Sequence, residues 1–276
     1  MTAQGARFKV TGSRVSSSGA FRALGRAGLA ARGVIYIIVG VLAVQIAFGK
    51  GGKEADRQGA LQTVARTPGG TVLLWLLAVG LAGMAIWRFS EAIWGQSVPE
   101  GDKATKRLSS LARGVFYTVV CASTVAFTVG AGGPGSSDKK SKDWTGKAMH
   151  DLPAGRWLVL IAGLGLVAIG VGIAVAALRT KFEKKLRTHE MSPGVRRAVT
   201  TVGVIGKSTR ALVYAAAGGF IAYAAITFDA DKAKGVDGTL RQFSHTGAGP
   251  WLLVLVAFGL IVFGVYSFCE ARWRRV

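Results

Sequence analysis

Acid, cysteine and histidine are all scarce in this chain. Its 276 residues hold 14 Asp and Glu against 35 Lys and Arg, with two Cys and three His. Cys121 and Cys269 stand far apart in two different hydrophobic stretches, which excludes a disulfide framework and every Cys-based metal spacing. His150 and His245 lie near Asp151 and Asp237, but no further His or Cys accompanies them, and His189 sits in a basic segment. No metal or other cofactor is expected. Also missing are H-E-x-x-H, G-x-S-x-G, the P-loop and C-x-x-C. An enzyme working inside a membrane needs a polar cluster deep in its helices, whereas the apolar stretches offer scattered residues such as Gln45, Ser123 and Thr124. No catalytic residue is nominated, and the chain is expected not to be an enzyme.

Long stretches without charge are what the sequence does have. Half of the residues are hydrophobic, and the mean hydropathy is +0.39. That is compatible with a net charge of +21 only if apolar and basic residues are segregated. Six uncharged runs appear, at 33–49, 67–87, 114–137, 157–178, 211–228 and 242–269. A hydrocarbon core of about 30 Å takes roughly 20 residues of helix, so each run crosses it once flanking Arg and Lys snorkel to the interface. The fold class is therefore all-α, a polytopic membrane protein of six transmembrane helices. The first run is too long for a cleavable secretory signal. The basic residues flank spans and lack interleaved aromatics, which argues against nucleic acid as a partner.

Basic residues also orient the chain. Of the 35 Lys and Arg, 23 fall on the side of the two termini and 12 on the other. The positive-inside rule then places both termini in the cytoplasm, with the basic face attracting anionic lipid. Residues 1–24, rich in Ser, Gly and basic side chains, read as a disordered cytoplasmic arm.

The spans repeat in pairs. Arg32-Gly33-Val34-Ile35-Tyr36, Arg113-Gly114-Val115-Phe116-Tyr117 and Arg210-Ala211-Leu212-Val213-Tyr214 open the odd spans, each with Arg one helical turn before Tyr. The even spans open at Pro68-Gly69-Gly70, Pro153-Ala154-Gly155 and Gly247-Ala248-Gly249-Pro250. Counting 23 residues on from Pro68 and Gly247 reaches Glu91 and Glu270, while the same count from Pro153 reaches Ala176. A short amphipathic helix precedes each even span, at 59–64, 144–152 and 238–243, and is expected to lay its apolar residues on the outer membrane interface. The units run over 25–98, 106–182 and 203–276 and share one orientation, so an axis along the membrane normal relates them. A pseudo-threefold ring of six helices is the simplest closed arrangement, with two-layer packing as the alternative.

The R-G-V-x-Y opening, the G-A-L of the short helix, the Pro-Gly start and W-R-x-x-E-A at Trp87 to Ala92 resemble the bacterial family catalogued as domain of unknown function 1206. The resemblance covers about residues 25 to 275. It implies a bacterial integral membrane protein of three tandem helix pairs and brings no activity with it.

Arg32, Arg113, Arg210, Glu91 and Glu270 are the recurring inner charges, expected to pair as Arg of one helix with Glu of its neighbour. Three Arg face two Glu, and Arg113 is the one expected to be left over. As a ring at the mouth of a central path they would gate a small ion or solute; as anchors and structural partners they would do no more than hold the bundle. Tyr36, Tyr117 and Tyr214 accompany them. Gly163, Gly165, Gly170, Gly172, Gly218, Gly219, Gly259 and Gly264 are read as close-packing positions, with small-xxx-small spacing at Gly170/Ala174 and Gly172/Ala176. The leading functional expectation is a structural or accessory membrane protein that organises lipid or a partner membrane-protein complex. A small-solute or ion transporter or channel along the pseudo-threefold axis is the alternative.

Overall fold

The computed structural model describes residues 19–48, 55–95, 104–130, 137–152, 154–244 and 249–274. Most of the basic arm, residues 1–18, and His245, Pro153, Gly247 and Ala248 lie outside the described residues. Nine α-helices are described: α1 (Gly19–Ala47), α2 (Arg57–Ala65), α3 (Gly70–Trp94), α4 (Ala104–Thr128), α5 (Ser137–Asp151), α6 (Gly155–Leu178), α7 (Pro193–Thr227), α8 (Val236–Ser244) and α9 (Gly249–Trp273). Helices α1, α3, α4, α6, α7 and α9 are each long and apolar enough to cross a membrane. Their outward faces carry large exposed apolar side chains such as Leu76, Val119, Ile161 and Leu255, as a hydrocarbon solvent requires.

Two boundaries differ from the sequence reading. Helix α1 begins at Gly19, inside the stretch read as an arm. Helix α7 begins at Pro193, ahead of the uncharged run 211–228 and of the third unit's expected start at 203. The cause is local: Ser192 caps the helix by accepting from the Val195 N–H, and Pro193 occupies its first turn. At 35 residues α7 is about 50 Å long and projects beyond the bilayer at the end bearing the termini.

Tight turns separate the short helices from the even spans. Gly69 and Ala154, equivalent in the repeat, both adopt left-handed backbone, with φ of 73° and 57°. At the next position a Cβ on Gly70 would lie 2.1 Å from the Val64 carbonyl oxygen, and one on Gly155 would lie 1.7 Å from that of Ala148. Only glycine fits there.

The helices pack in the order α4, α3, α1, α9, α7, α6, which is the chain order of the spans around a ring. The tightest contacts join one repeat to the next: α1 with α9, α4 with α3, and α7 with α6. Each is an antiparallel pair with small residues seven apart. Gly33 and Gly40 meet Gly264 and Ala257, while Ala211 and Gly218 meet Gly170 and Gly163. In the third, Gly114 lies on the Phe89 ring and Cys121 Sγ is 3.4 Å from the Ala78 carbonyl oxygen. The small-xxx-small spacing expected from sequence is thus replaced by a seven-residue spacing, because two antiparallel helices return to the same contact every two turns. Gly165, Gly172 and Gly219 have nothing near the space a Cβ would fill, so they are not packing positions within the chain.

The ring is not closed. No extended contact joins α4 to α6 among the described residues, and these two spans are the least buried of the six. The short helices also depart from expectation. Leu61 of α2 and Leu240 of α8 are fully buried in the bundle rather than laid on its surface, and Met149 of α5 is buried, while Trp144 and Leu152 of α5 are exposed as expected. Their polar ends are held inside too: the Asp56 carboxylate accepts from the Gly59 N–H, and that of Asp237 accepts from the Ala55 N–H at 2.7 Å. Helix α2 packs on α1 and α3, and α8 on α9 and α7, so together they cover the centre of the ring at the end away from the termini.

Candidate functional site

The repeat brings its own signature to the centre of the bundle. A cavity of about 360 Å³ is lined by Arg32 and Tyr36 of α1, Tyr117 of α4, and Arg210 and Tyr214 of α7. Above this polar floor rise apolar walls formed by Val39, Leu81, Val120, Val213 and Leu260. Asp56, Arg57 and Val236 form the roof. The Arg57 guanidinium donates to the Ser123 hydroxyl at 2.6 Å and to the Val120 carbonyl oxygen at 3.3 Å, fastening α2 to α4 across the cavity. Phe116 and Val119 of α4 also line it, and both are largely exposed; no residue of α6 does.

The recurring charges do not share one environment. Glu270 is buried among cations: Arg32 donates to it from the facing helix, Arg274 lies at 3.4 Å and Lys207 at 3.7 Å. Arg32 also donates to the Ser267 hydroxyl. Glu91 accepts from Arg88 of its own helix at 2.6 Å and from the Ser110 hydroxyl of α4 at 3.1 Å, not from Arg113. Arg113 is exposed and does not line the cavity.

Arg113, expected to be left over, makes no ion pair with an acid among the described residues, and neither does Arg210, which lies at the cavity. The neighbour of Arg210 across the repeat interface is α6, the helix with Ala176 where the others carry Glu. The Arg210 guanidinium instead donates to the Tyr214 hydroxyl at 2.9 and 3.1 Å. It also lies against three rings, those of Tyr214 at 4.8 Å, Phe263 at 5.0 Å and Tyr36 at 5.6 Å. Phe263, fully buried, takes Arg32 on its ring as well, at 5.2 Å. Cation–π contact partly replaces a counter-ion. The Tyr36 and Tyr214 hydroxyls are 3.2 Å apart, so one donates to the other and the pair keeps one O–H to offer elsewhere.

Residues overlooked in the sequence close the floor from below. Phe182, in the 3₁₀ turn Lys181–Lys185, packs with Val199, Phe263 and Tyr266, and Lys207 lies 4.6 Å from the ring centres of Phe182 and Tyr266. The turn is fixed to the end of α9 by the Arg187 N–H donating to the Trp273 carbonyl oxygen. Burial beside Arg274, Arg113 and Arg88, opposed by Glu91, pushes the Lys185 ammonium down to about 7. Nothing in a short basic loop advertises this position. Among the described residues, no three His, Cys, Asp or Glu gather as metal ligands; His150 meets the Phe228 ring edge-on.

The fold and cavity define a multi-pass helical membrane protein built from three tandem helix pairs, with the repeat motif turned inward. The chain belongs to the family described as Domain of Unknown Function (DUF1206), whose model matches residues 27–95, 108–180 and 205–274. It is 29% identical over 254 residues to "Uncharacterized protein YxxB" of Bacillus subtilis (strain 168), covering 91% of this chain and 90% of that one. No solved structure matches.

Proposed function

We propose that this chain is an accessory protein of the bacterial plasma membrane that holds lipid in its central cavity, with both termini in the cytoplasm. The observation that carries the reading is that the cavity reaches exposed side chains on the flank of α4, Phe116 and Val119, the helix that no extended contact joins to α6 among the described residues. Helices α2 and α8 cover the centre at one end and Phe182 packs beneath at the other, so the space has access from hydrocarbon rather than from water. Its walls are apolar apart from floor and roof, as suits an acyl chain. The orientation rests on the 23 basic residues on the side of the termini against 12 opposite. That basic face is matched to anionic lipid and offers a contact for a partner membrane protein. No catalytic role is proposed.

Single cysteines along α1, α4 and α7, in a chain with Cys121 and Cys269 replaced, test this with a membrane-impermeant thiol reagent added from each side. Labelling is expected to stop within a turn of either interface, while a lipid-soluble maleimide reaches Val39→Cys and Val213→Cys. Impermeant labelling through mid-depth would replace this reading with that of a transporter or channel. Labelling of the terminal segments from the outside would reverse the orientation.

A further inference from the structure

We propose that the cavity is a site for one anionic phospholipid, its phosphate bound at Arg210 and one acyl chain lying along the apolar walls; this rests on the lipid-holding reading above. The argument begins with the broken repeat. At the α1 and α9 interface Arg32 meets Glu270, but the equivalent position facing α7 is Ala176. The bundle therefore carries a guanidinium at its centre whose partners are a hydroxyl and three rings, none of them negatively charged. A cation in so apolar a setting calls for a counter-charge, and none of the described residues pairs with it as one. Space for it is at hand, since Arg210 lines the cavity together with Tyr36 and Tyr214, and the spare O–H of that pair adds a donor to the guanidinium fork. Arginine matches phosphate with two parallel N–H bonds, a fit for the diester of a phospholipid.

Depth selects lipid over a soluble anion. Arg210 stands where the uncharged part of α7 begins, at headgroup level, and the aligned Val39 and Val120 lie seven residues further in from their own arginines, about 10 Å deeper. A lipid of the leaflet on the side of the termini would place its phosphate at the first level and its chain at the second. Entry is by the flank of α4 at Phe116 and Val119, and a cavity of about 360 Å³ admits one chain, leaving the other in the bilayer.

The test uses the full chain in neutral detergent, stripped of lipid, then given phosphatidylglycerol, phosphatidylcholine or inorganic phosphate, with native mass spectrometry and thermal unfolding as readouts. One phosphatidylglycerol per chain is expected to be retained and to raise the unfolding temperature. Arg210→Gln should weaken that retention about tenfold or more, the loss of one charge-assisted pair. Ala176→Glu restores the acid the repeat lacks; it should abolish retention while the lipid-free protein gains stability, which keeps the test valid if Arg210→Gln fails to fold. Equal retention of phosphatidylglycerol by wild type and Ala176→Glu overturns the proposal. Equal retention of phosphatidylcholine overturns the anionic site yet leaves a lipid-holding cavity, whereas retention of neither lipid defeats both readings. Stabilisation by inorganic phosphate alone overturns the assignment to lipid.

Discussion

Glu270→Gln removes the one negative charge that three cations share. The carboxylate is 4% exposed, accepts from Arg32 and has Arg274 and Lys207 within 4 Å. Glutamine keeps the shape and offers an acceptor, so what is lost is charge alone. Taking one partner from a buried ion pair costs about 3–5 kcal/mol, because the remaining charge is left in low dielectric. At roughly 2–4 °C per kcal/mol, the apparent Tm in detergent should fall by roughly 6–20 °C. Glu91→Gln supplies the internal control. Glu91 meets one cation, Arg88 at 2.6 Å, together with the Ser110 hydroxyl, so its loss should cost about 2 kcal/mol. Adding Arg32→Met to Glu270→Gln should restore part of the loss and no more, since Lys207 and Arg274 stay uncompensated. A Glu270→Gln protein that melts within 2 °C of wild type, or below which Glu91→Gln falls, would refute the view that this acid holds together the end of the bundle that bears the termini.

Further predictions concern packing, pH and the roof. Gly163→Leu should lower the melting temperature sharply, because even a Cβ there comes within 2.6 Å of the Ala222 backbone nitrogen; Gly165→Ala and Gly172→Ala, with open space around them, should be neutral or gain up to about 1 kcal/mol in helix propensity, and parallel melts separate the two classes. Lys185 titrates at about 7 in the fold against an ordinary 10.5. Between those values the unfolded chain binds the extra proton, so stability should rise as pH is raised from 7 towards 10, be insensitive to this group below 7, and lose that slope in Lys185→Met, read from melts across that range. Arg57→Met removes the bonds that tie α2 to the Ser123 hydroxyl and to the Val120 carbonyl, which still accepts from Ser123 and Thr124, and should raise hydrogen exchange in α2 while leaving α8 protected.

Hydropathy and charge determined the membrane class, the six spans, their pairing and the threefold repeat from sequence alone, because partition into hydrocarbon depends on each segment's own composition over some 20 residues. The extent of α7 was also written locally, in Ser192 and Pro193, but lay hidden in a stretch whose Lys and Arg resemble a loop. The tyrosines and arginines of the repeat were legible as a set, since an interval of four puts them on one helical face. Which way that face turns was not. Tertiary packing decided that Tyr36, Tyr117 and Tyr214 meet around one cavity and that Leu61 and Leu240 are buried in the bundle rather than laid on its surface. Packing decided, too, that the ring stays open between α4 and α6 and that Arg210, rather than Arg113, is the acid-free arginine lining the cavity. Sequence recorded the missing glutamate at Ala176; assigning its loss to Arg210 required knowing that α6 packs on α7, a pairing set by small residues seven apart on both helices, which allow their backbones to touch.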